Sequence, residues 1–269
     1  MDRAWQNNLT HRTELVFGTE TVRKIESLNI AVIGVGGVGG WCAEALVRSG
    51  VTRMTVVDSD IVCATNVNRQ IQALSSTVGR PKVEVMRERL LDINPGAEIV
   101  SLNKAFLPEN SDEFRLQEFD YVIDAIDSVS SKVHLLEYCS SRGIKIFASM
   151  GAAARSDPSR VRAAYISETH GCPLARIVRN RLKKDNASLK IPCVFSDEPA
   201  VKPAVEAWCG TGKCSCRADR DDAEAAGSCA VDWCARKKQI NGSLVHITGI
   251  FGLTLAGMVL RDSAGKGWR

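Results

Sequence analysis

Gly34-Val35-Gly36-Gly37-Val38-Gly39 stands directly after the apolar run Ile30-Ala31-Val32-Ile33 and just before Trp41-Cys42-Ala43-Glu44-Ala45-Leu46. A strand therefore feeds a glycine loop that opens a helix. Residues without Cβ let backbone N–H groups approach phosphate oxygens, and the helix N-terminus adds partial positive charge where an anion would sit. The chemistry this predicts involves a nucleotide. The loop pattern is shared by dinucleotide-dependent dehydrogenases, methyltransferases and ATP-using adenylating enzymes, so the residues downstream must choose among them.

Met54-Thr55-Val56-Val57 predicts a second strand. Asp58 at its end stands about 20 residues beyond the loop, placed to accept hydrogen bonds from ribose hydroxyls. That suits NAD and ATP equally. Asn66-Val67-Asn68-Arg69-Gln70 then supplies a polar cluster, Lys82 follows Gly79-Arg80-Pro81 at the start of a helical stretch, and Asp124-Ala125-Ile126-Asp127 ends the strand Tyr121-Val122-Ile123. An arginine, a lysine and a strand-end aspartate can bind phosphates and hold Mg²⁺, which takes one or two carboxylates plus phosphate oxygens. Singly, each also has an ordinary reading as a turn residue or a solvated charge. Of the two aspartates Asp124 reads as the more structural, and the residues alone leave open which one is a ligand.

GVGGVG, VVDSDIVCATNVNRQ, GRPK and DAIDS, in this order and at these intervals, resemble the ubiquitin-activating-enzyme-like adenylating superfamily over roughly residues 12–150. Further features extend the resemblance over most of the chain. They are Arg12-Thr13-Glu14-Leu15, Asp157-Pro158-Ser159, Cys172-Pro173-Leu174-Ala175, Val194-Phe195-Ser196-Asp197-Glu198-Pro199 and Gln239-Ile240-Asn241-Gly242-Ser243. These look closer to the tRNA threonylcarbamoyladenosine dehydratases than to the activators of sulfur-carrier proteins, with about 203–238 the weakest match.

The resemblance implies an α/β fold, a Rossmann-like, mostly parallel sheet flanked by helices. It implies that Gly34, Gly36, Gly37 and Gly39 cradle ATP, that Asp58 holds the ribose, and that Asn66, Arg69 and Gln70 line the phosphates. Lys82 would neutralise the triphosphate, Asp127 would bind Mg²⁺, and Arg12 would reach a phosphate from the partner subunit of a homodimer. The implied activity is ATP-dependent dehydration, a cyclisation of N6-threonylcarbamoyladenosine beside the anticodon of tRNA through an acyl adenylate. The alternative is an adenylating activator of a sulfur-carrier or ubiquitin-like protein, and a sulfur-transfer or redox partner protein stays open. An NAD(P)-dependent oxidoreductase is disfavoured by Arg69, Lys82 and Asp127.

Strands are expected at Ser27–Ile33, Met54–Val57, Ala97–Leu102, Tyr121–Ile126 and Lys145–Ser149, and helices at Trp41–Ser49, Lys82–Asp92 and Ser131–Arg142. At 269 residues and 45% hydrophobic composition, with no Pro/Gly/Ser linker, the chain reads as one adenylation domain over 1–269 with a Cys-rich insertion at about 203–238. The N-terminus carries no secretory apolar core, so a cytoplasmic location is expected. Gly242–Leu260 holds no Asp, Glu, Lys or Arg, yet its Gly and Thr content and His246 fit a strand Leu244–Thr248 and a helix Phe251–Leu260 better than a membrane span, and the resemblance implies an end that is buried or faces a dimer partner.

Net charge is only +4, but residues 151–190 hold nine Lys and Arg against three Asp and Glu. Arg155, Arg160 and Arg162 precede a helix from Pro173 carrying Arg176, Arg179, Arg181, Lys183 and Lys184, of which 176, 179 and 183 share a face. Such a stripe suits tRNA phosphates, or simply solvent. Of ten cysteines, Cys42, Cys63, Cys139 and Cys193 sit among apolar residues and read as core thiols. Cys209, Cys214, Cys216, Cys229 and Cys234 cluster in polar sequence, where Zn²⁺ or an iron–sulfur cluster would supply order; disulfides or a disordered loop are the other readings. Cys172, before a helix-opening proline, reads as structural, since cyclisation of an adenylate needs no protein nucleophile.

Overall fold

The computed structural model describes residues 3–205 and 241–269. Helices α1 (Arg3–Phe17) and α2 (Thr19–Ser27) lead into β1 (Asn29–Ile33), followed by α3 (Gly39–Arg48), β2 (Arg53–Val57), α4 (Lys82–Ile93) and β3 (Glu98–Leu102). Next come β4 (Tyr121–Asp124), α5 (Val129–Ser141), β5 (Ile146–Ser149), β6 (Val161–Tyr165), α6 (Pro173–Lys184), β7 (Pro192–Ser196) and α7 (Val245–Ser263). The eight elements expected between residues 27 and 149 all form, each end within two residues of its expected place. The seven strands make one sheet in the order β3-β2-β1-β4-β5-β7-β6, parallel throughout except for β6 against β7.

A parallel sheet covered on both faces calls for strands that are apolar on both faces, and β1 meets that demand. Its Ile30 and Val32 pack with Leu46, Met86, Leu90 and Phe251 of α3, α4 and α7, while Ala31 and Ile33 pack with Leu135, Leu136, Val178 and Leu182 of α5 and α6. The chain winds outward from β1 through β2 to β3 and then returns to β4 on the other side. That reversal leaves a crevice at the C-terminal ends of β1 and β4, where ligands bind in sheets of this kind.

One expectation fails. Leu244–Thr248 is not a strand: Val245 to Thr248 form the first turn of α7. The β-branched run Val245, Ile247 and Thr248 favours extended chain locally, but Ile247, Phe251 and Leu255, spaced four apart, bury one helical face in the core. Gly252 lets that face close on α3, because a Cβ there would lie 2.4 Å from Val38 O and 2.7 Å from Trp41 Cβ. The expected burial of this end holds on the α3 side, whereas Leu253 is exposed. No described helix is long and apolar enough to cross a membrane.

Gly252 and Gly257 of α7 should therefore respond in opposite directions to alanine. Gly252→Ala is expected to lose about 1–3 kcal/mol in urea unfolding through overpacking. Gly257→Ala, where nothing lies within 4 Å of a built Cβ, should gain up to about 1 kcal/mol of helix propensity.

Candidate active site

The glycine loop leaves β1 at Gly34, whose φ is +91° and whose N–H donates to Val57 O at 2.7 Å. A Cβ at Gly34 would stand 2.7 Å from Ala125 O, and one at Gly39 would stand 1.8 Å from Gly34 O. The loop is thus folded back on itself and against the β4 turn so tightly that only hydrogen fits at these positions. Gly37 lies beside the Arg69 stem and Thr248, and Gly36 faces the Gln70 amide at 3.8 Å from a built Cβ.

Asp58 closes the loop from the neighbouring strand. Its carboxylate accepts from Val35 N–H and Asp60 N–H, both at 2.9 Å. Burial pushes its carboxyl above the ordinary value, against the pull of the Lys82 ammonium. Lys82, the first residue of α4, is 5% exposed and donates to Asp60 Oδ2 at 2.7 Å. Burial alone would lower its pKa, but Asp58, Asp60, the hydrogen bond to Asp60 and Asp127 hold it above the usual lysine value. Asp58, Asp60, Lys82 and Asp127 thus form one electrostatic group at the C-terminal edge of the sheet.

Arg69 Nη1 donates to Thr65 O at 2.9 Å and Asn68 Oδ1 at 3.0 Å, while its carbonyl accepts from Trp41 Nε1 at 3.2 Å. Asn66 is buried, its Oδ1 accepting from Cys63 N–H at 3.1 Å, and so it shapes the turn carrying Arg69. Asp127 is exposed, whereas Asp124 is fully buried. Arg12 is not brought to this edge: Thr10 touches Gly50, Gln6 bonds Gly50 O, and Trp5 bonds Ile93 O, at the far ends of α3 and α4. Those helices span roughly 15–18 Å, beyond the reach of an arginine side chain.

Gln72 and Lys132 lie in none of the motifs above, and Asp60 lies in one that assigned it no role. Gln72, 1% exposed, donates through Nε2 to Val35 O and lies against Gly40. Asp60 supplies the Lys82 partner, and Lys132 pairs with Asp124 at 2.6 Å. Their signal is three-dimensional, because each is a polar residue whose partner is distant or of ordinary type.

The basic stripe is corrected by the fold. Arg179 is half-buried and donates to Thr169 O and Thr169 Oγ1, both at 2.6 Å, so it anchors the turn before α6. Arg160 and Arg162 pair with Asp197, and Arg155 is 3% exposed. The exposed cations of α6 are Arg176, Arg181, Lys183 and Lys184. Cys172 is buried in apolar surroundings, as are Cys139 and Cys193. Cys209, Cys214, Cys216, Cys229 and Cys234 lie outside the described residues. Among the described residues no His, Cys, Asp and Glu gather as a metal cluster. A cavity of about 630 Å³ lined by Ser111, His134, Glu137 and Asp185 lies at the C-terminal ends of α5 and α6, away from the phosphate edge.

The edge gathers the group types that a nucleoside triphosphate requires: backbone N–H groups and a helix N-terminus, the cations Lys82 and Arg69, and the strand-end carboxylate Asp58. Gly39→Ala should abolish that fit. Calorimetric titration with ATP is expected to show at least about tenfold weaker binding, one lost strong hydrogen-bonded contact or more, with the far-ultraviolet dichroism unchanged.

The sequence profile of the ThiF family matches residues 10–265. The chain is 46% identical over 190 residues to a tRNA threonylcarbamoyladenosine dehydratase of Bacillus subtilis, covering 71% of this chain and 75% of that one. The crystal structure of the Escherichia coli tRNA N6-threonylcarbamoyladenosine dehydratase in complex with ATP superposes with a TM-score of 0.80 at 31% identity, over 97% of this chain and 95% of that one. An Escherichia coli molybdopterin-synthase adenylyltransferase is 32% identical over 133 residues, 49% of this chain and 52% of that one. A profile match running from the first helix to the last, over the glycine loop and every residue of the phosphate edge, makes this chain a member of the ThiF family.

Proposed function

We infer that this chain is an ATP-dependent tRNA threonylcarbamoyladenosine dehydratase. The observation that carries this is the likeness to the ATP-bound Escherichia coli dehydratase over 97% of the chain, joined to a phosphate edge with Lys82 between two acidic strand ends. The reach of the family profile over residues 10–265 supports reading the chain as one adenylation domain.

The threonyl carboxylate is a poor electrophile, because hydroxide is a poor leaving group. Its oxygen attacks the α-phosphorus of ATP, the bond to the bridging oxygen breaks, and pyrophosphate departs. Lys82 and Arg69 would take up the charge that builds on that leaving group. Asp58, already fixed by Val35 and Asp60 N–H groups, would orient the ribose. A tethered atom of the threonylcarbamoyl group then attacks the acyl carbonyl, AMP leaves, and the ring closes with net loss of water, favoured because nucleophile and electrophile share one molecule. Asp127, an exposed carboxylate beside the phosphate edge, is the donor type Mg²⁺ accepts. When bound, Mg²⁺ would neutralise phosphate charge there.

The exposed cations Arg176, Arg181, Lys183 and Lys184 of α6 offer tRNA phosphates a salt-sensitive surface. A homodimer completes this reading. Val67 and Leu74, with Leu244, Val245 and Leu253, are exposed apolar side chains on two segments tied by the Asn68 Nδ2 to Ser243 O hydrogen bond. Arg12, out of reach of its own phosphate edge, would serve the partner's. Zn²⁺ or an iron–sulfur cluster at Cys209, Cys214, Cys216, Cys229 and Cys234 is a proposal that elemental analysis of the purified protein tests.

Two experiments follow. The protein is incubated with Mg-ATP and tRNA carrying threonylcarbamoyladenosine, and the digested nucleosides are weighed by mass spectrometry. The modified nucleoside should lose one water only when ATP is present, and Asp127→Ala should slow this at least about 100-fold. An unchanged nucleoside beside carrier-dependent ATP–pyrophosphate exchange would point instead to an activator of a sulfur-carrier protein. For the dimer, inactive Arg12→Ala and Asp127→Ala chains are mixed. If Arg12 acts across a twofold interface, mixed dimers hold one intact site each, and activity should return to about a quarter of the parent's.

A further inference from the structure

Lys132 is fully buried, and so is its partner: the Lys132 Nζ to Asp124 Oδ2 distance is 2.6 Å, with neither side chain exposed to solvent. The pair sits in the apolar layer that contains Val133, Leu135, Leu136, Cys139 and Cys193. Withdrawing two charges from water costs several kcal/mol per ion, and an apolar pair of similar volume is often at least as stable. Core stability alone therefore gives no reason for a lysine here. Position does. Asp124 ends β4, and its other oxygen accepts the Ile126 N–H at 3.0 Å. Ala125 N–H donates to Ile33 O at 2.8 Å, and Lys132 N–H donates to Ser128 O at 2.9 Å in the first turn of α5. One carboxylate thus joins strand end, turn and helix, and Asp127 is held between the tied points. The same turn presses Ala125 O against Gly34.

We propose that Lys132 is a positioning residue for Asp127: by locking Asp124 it fixes the turn from Asp124 to Ser128, so that the Asp127 carboxylate meets a divalent cation at the phosphate edge in a single orientation. This rests on the reading that Asp127 is the cation ligand. Neither Asp124 nor Lys132 touches substrate, because both oxygens of Asp124 are engaged within the turn and both side chains are sealed from solvent. Supporting partners of this kind typically carry about 10- to 100-fold of metal affinity.

The test replaces the pair by apolar residues, Asp124→Val with Lys132→Met, beside Asp127→Asn as a control. Mn²⁺ is titrated into the protein with a non-hydrolysable ATP analogue, and free Mn²⁺ is read by electron paramagnetic resonance. Binding of the analogue without metal and the thermal unfolding midpoint are measured on the same samples. The expected result is about 10- to 100-fold weaker Mn²⁺ binding in the double variant, with metal-free analogue affinity and unfolding midpoint kept, and a comparable loss in Asp127→Asn. Parent-like Mn²⁺ binding in the double variant, with the loss confined to Asp127→Asn, overturns the proposal and leaves the Asp127 reading standing. Parent-like binding in Asp127→Asn overturns that reading and the proposal with it. Should the double variant fail to fold, Lys132→Arg keeps the buried charge while displacing it. Weaker Mn²⁺ binding is again expected there, and parent-like binding again overturns the proposal.

Discussion

The closure of the glycine loop is the constraint on which the site depends. Gly39 begins α3 against the carbonyl of Gly34, so near that a methyl group would overlap it at 1.8 Å. The first N–H groups of a helix have no intrahelical partner. Bringing them beside the end of β1 collects these donors, the helix dipole and the strand end in one small volume. Everything around the loop keeps it closed: Val57 O on Gly34 N–H, Asp58 on Val35 N–H, and Gln72 on Val35 O. Gly34 also needs Ala125 O to pass within contact, so the loop and the β4 turn cannot move independently.

Charge at this edge follows from that closure. With Asp58 held against the loop and Asp60 bonded to the ammonium, both carboxylates act on Lys82, which would otherwise lose its proton more readily on burial. The lysine is therefore held as a buried cation with a fixed partner, the arrangement that preorganised electrostatic stabilisation requires. Triphosphate binding would give Lys82 anionic oxygens in addition to Asp60. Burial already disfavours the ionised Asp58 carboxylate, so two ribose hydroxyl donors would relieve part of that cost.

Much of this was legible because the informative groups lie close together in sequence. The strands from β1 to β5 are short runs rich in apolar residues, and the loop glycines, Asp58, Arg69, Lys82 and Asp127 sit at their ends or in the crossovers that follow. Illegible were the features set by contacts distant in sequence. Leu244–Thr248 was expected as a strand, and its β-branched Val245, Ile247 and Thr248 favour extended chain locally, but packing of the segment against α3 and the sheet makes it helix. Arg179 shared a helical face with Arg176 and Lys183, yet Thr169 takes its guanidinium inward. Lys132 gave no sign of burial, since lysine is among the residues least often found inside. Asp124 is buried against the Lys132 ammonium while Asp127 is exposed, a difference set by a partner eight residues from Asp124 that nothing in the DAIDS motif marks.

The C-terminal helix shows how the far end of the chain bears on the phosphate edge. Trp41 Nε1 and Thr248 Oγ1 both donate to the Arg69 carbonyl, at 3.2 and 3.4 Å, and Asn68 donates to Ser243 O at 2.8 Å. Arg69 is thus set from three sides: its own turn, α3 and the start of α7. His246 reaches Ser156 O at 3.0 Å, and Ala154, in a left-handed conformation at φ +58°, donates to Gly242 O and accepts from Val201 N–H. Holding a non-glycine residue in that conformation costs on the order of 1–3 kcal/mol, a cost met only where surrounding contacts over-determine the backbone. Here those contacts join the loop after β5 to residues 201 and 242, the two sides from which the described chain flanks residues 206–240. The end of β5, the entry to α7 and the Arg69 turn are therefore joined by hydrogen bonds between segments far apart in sequence.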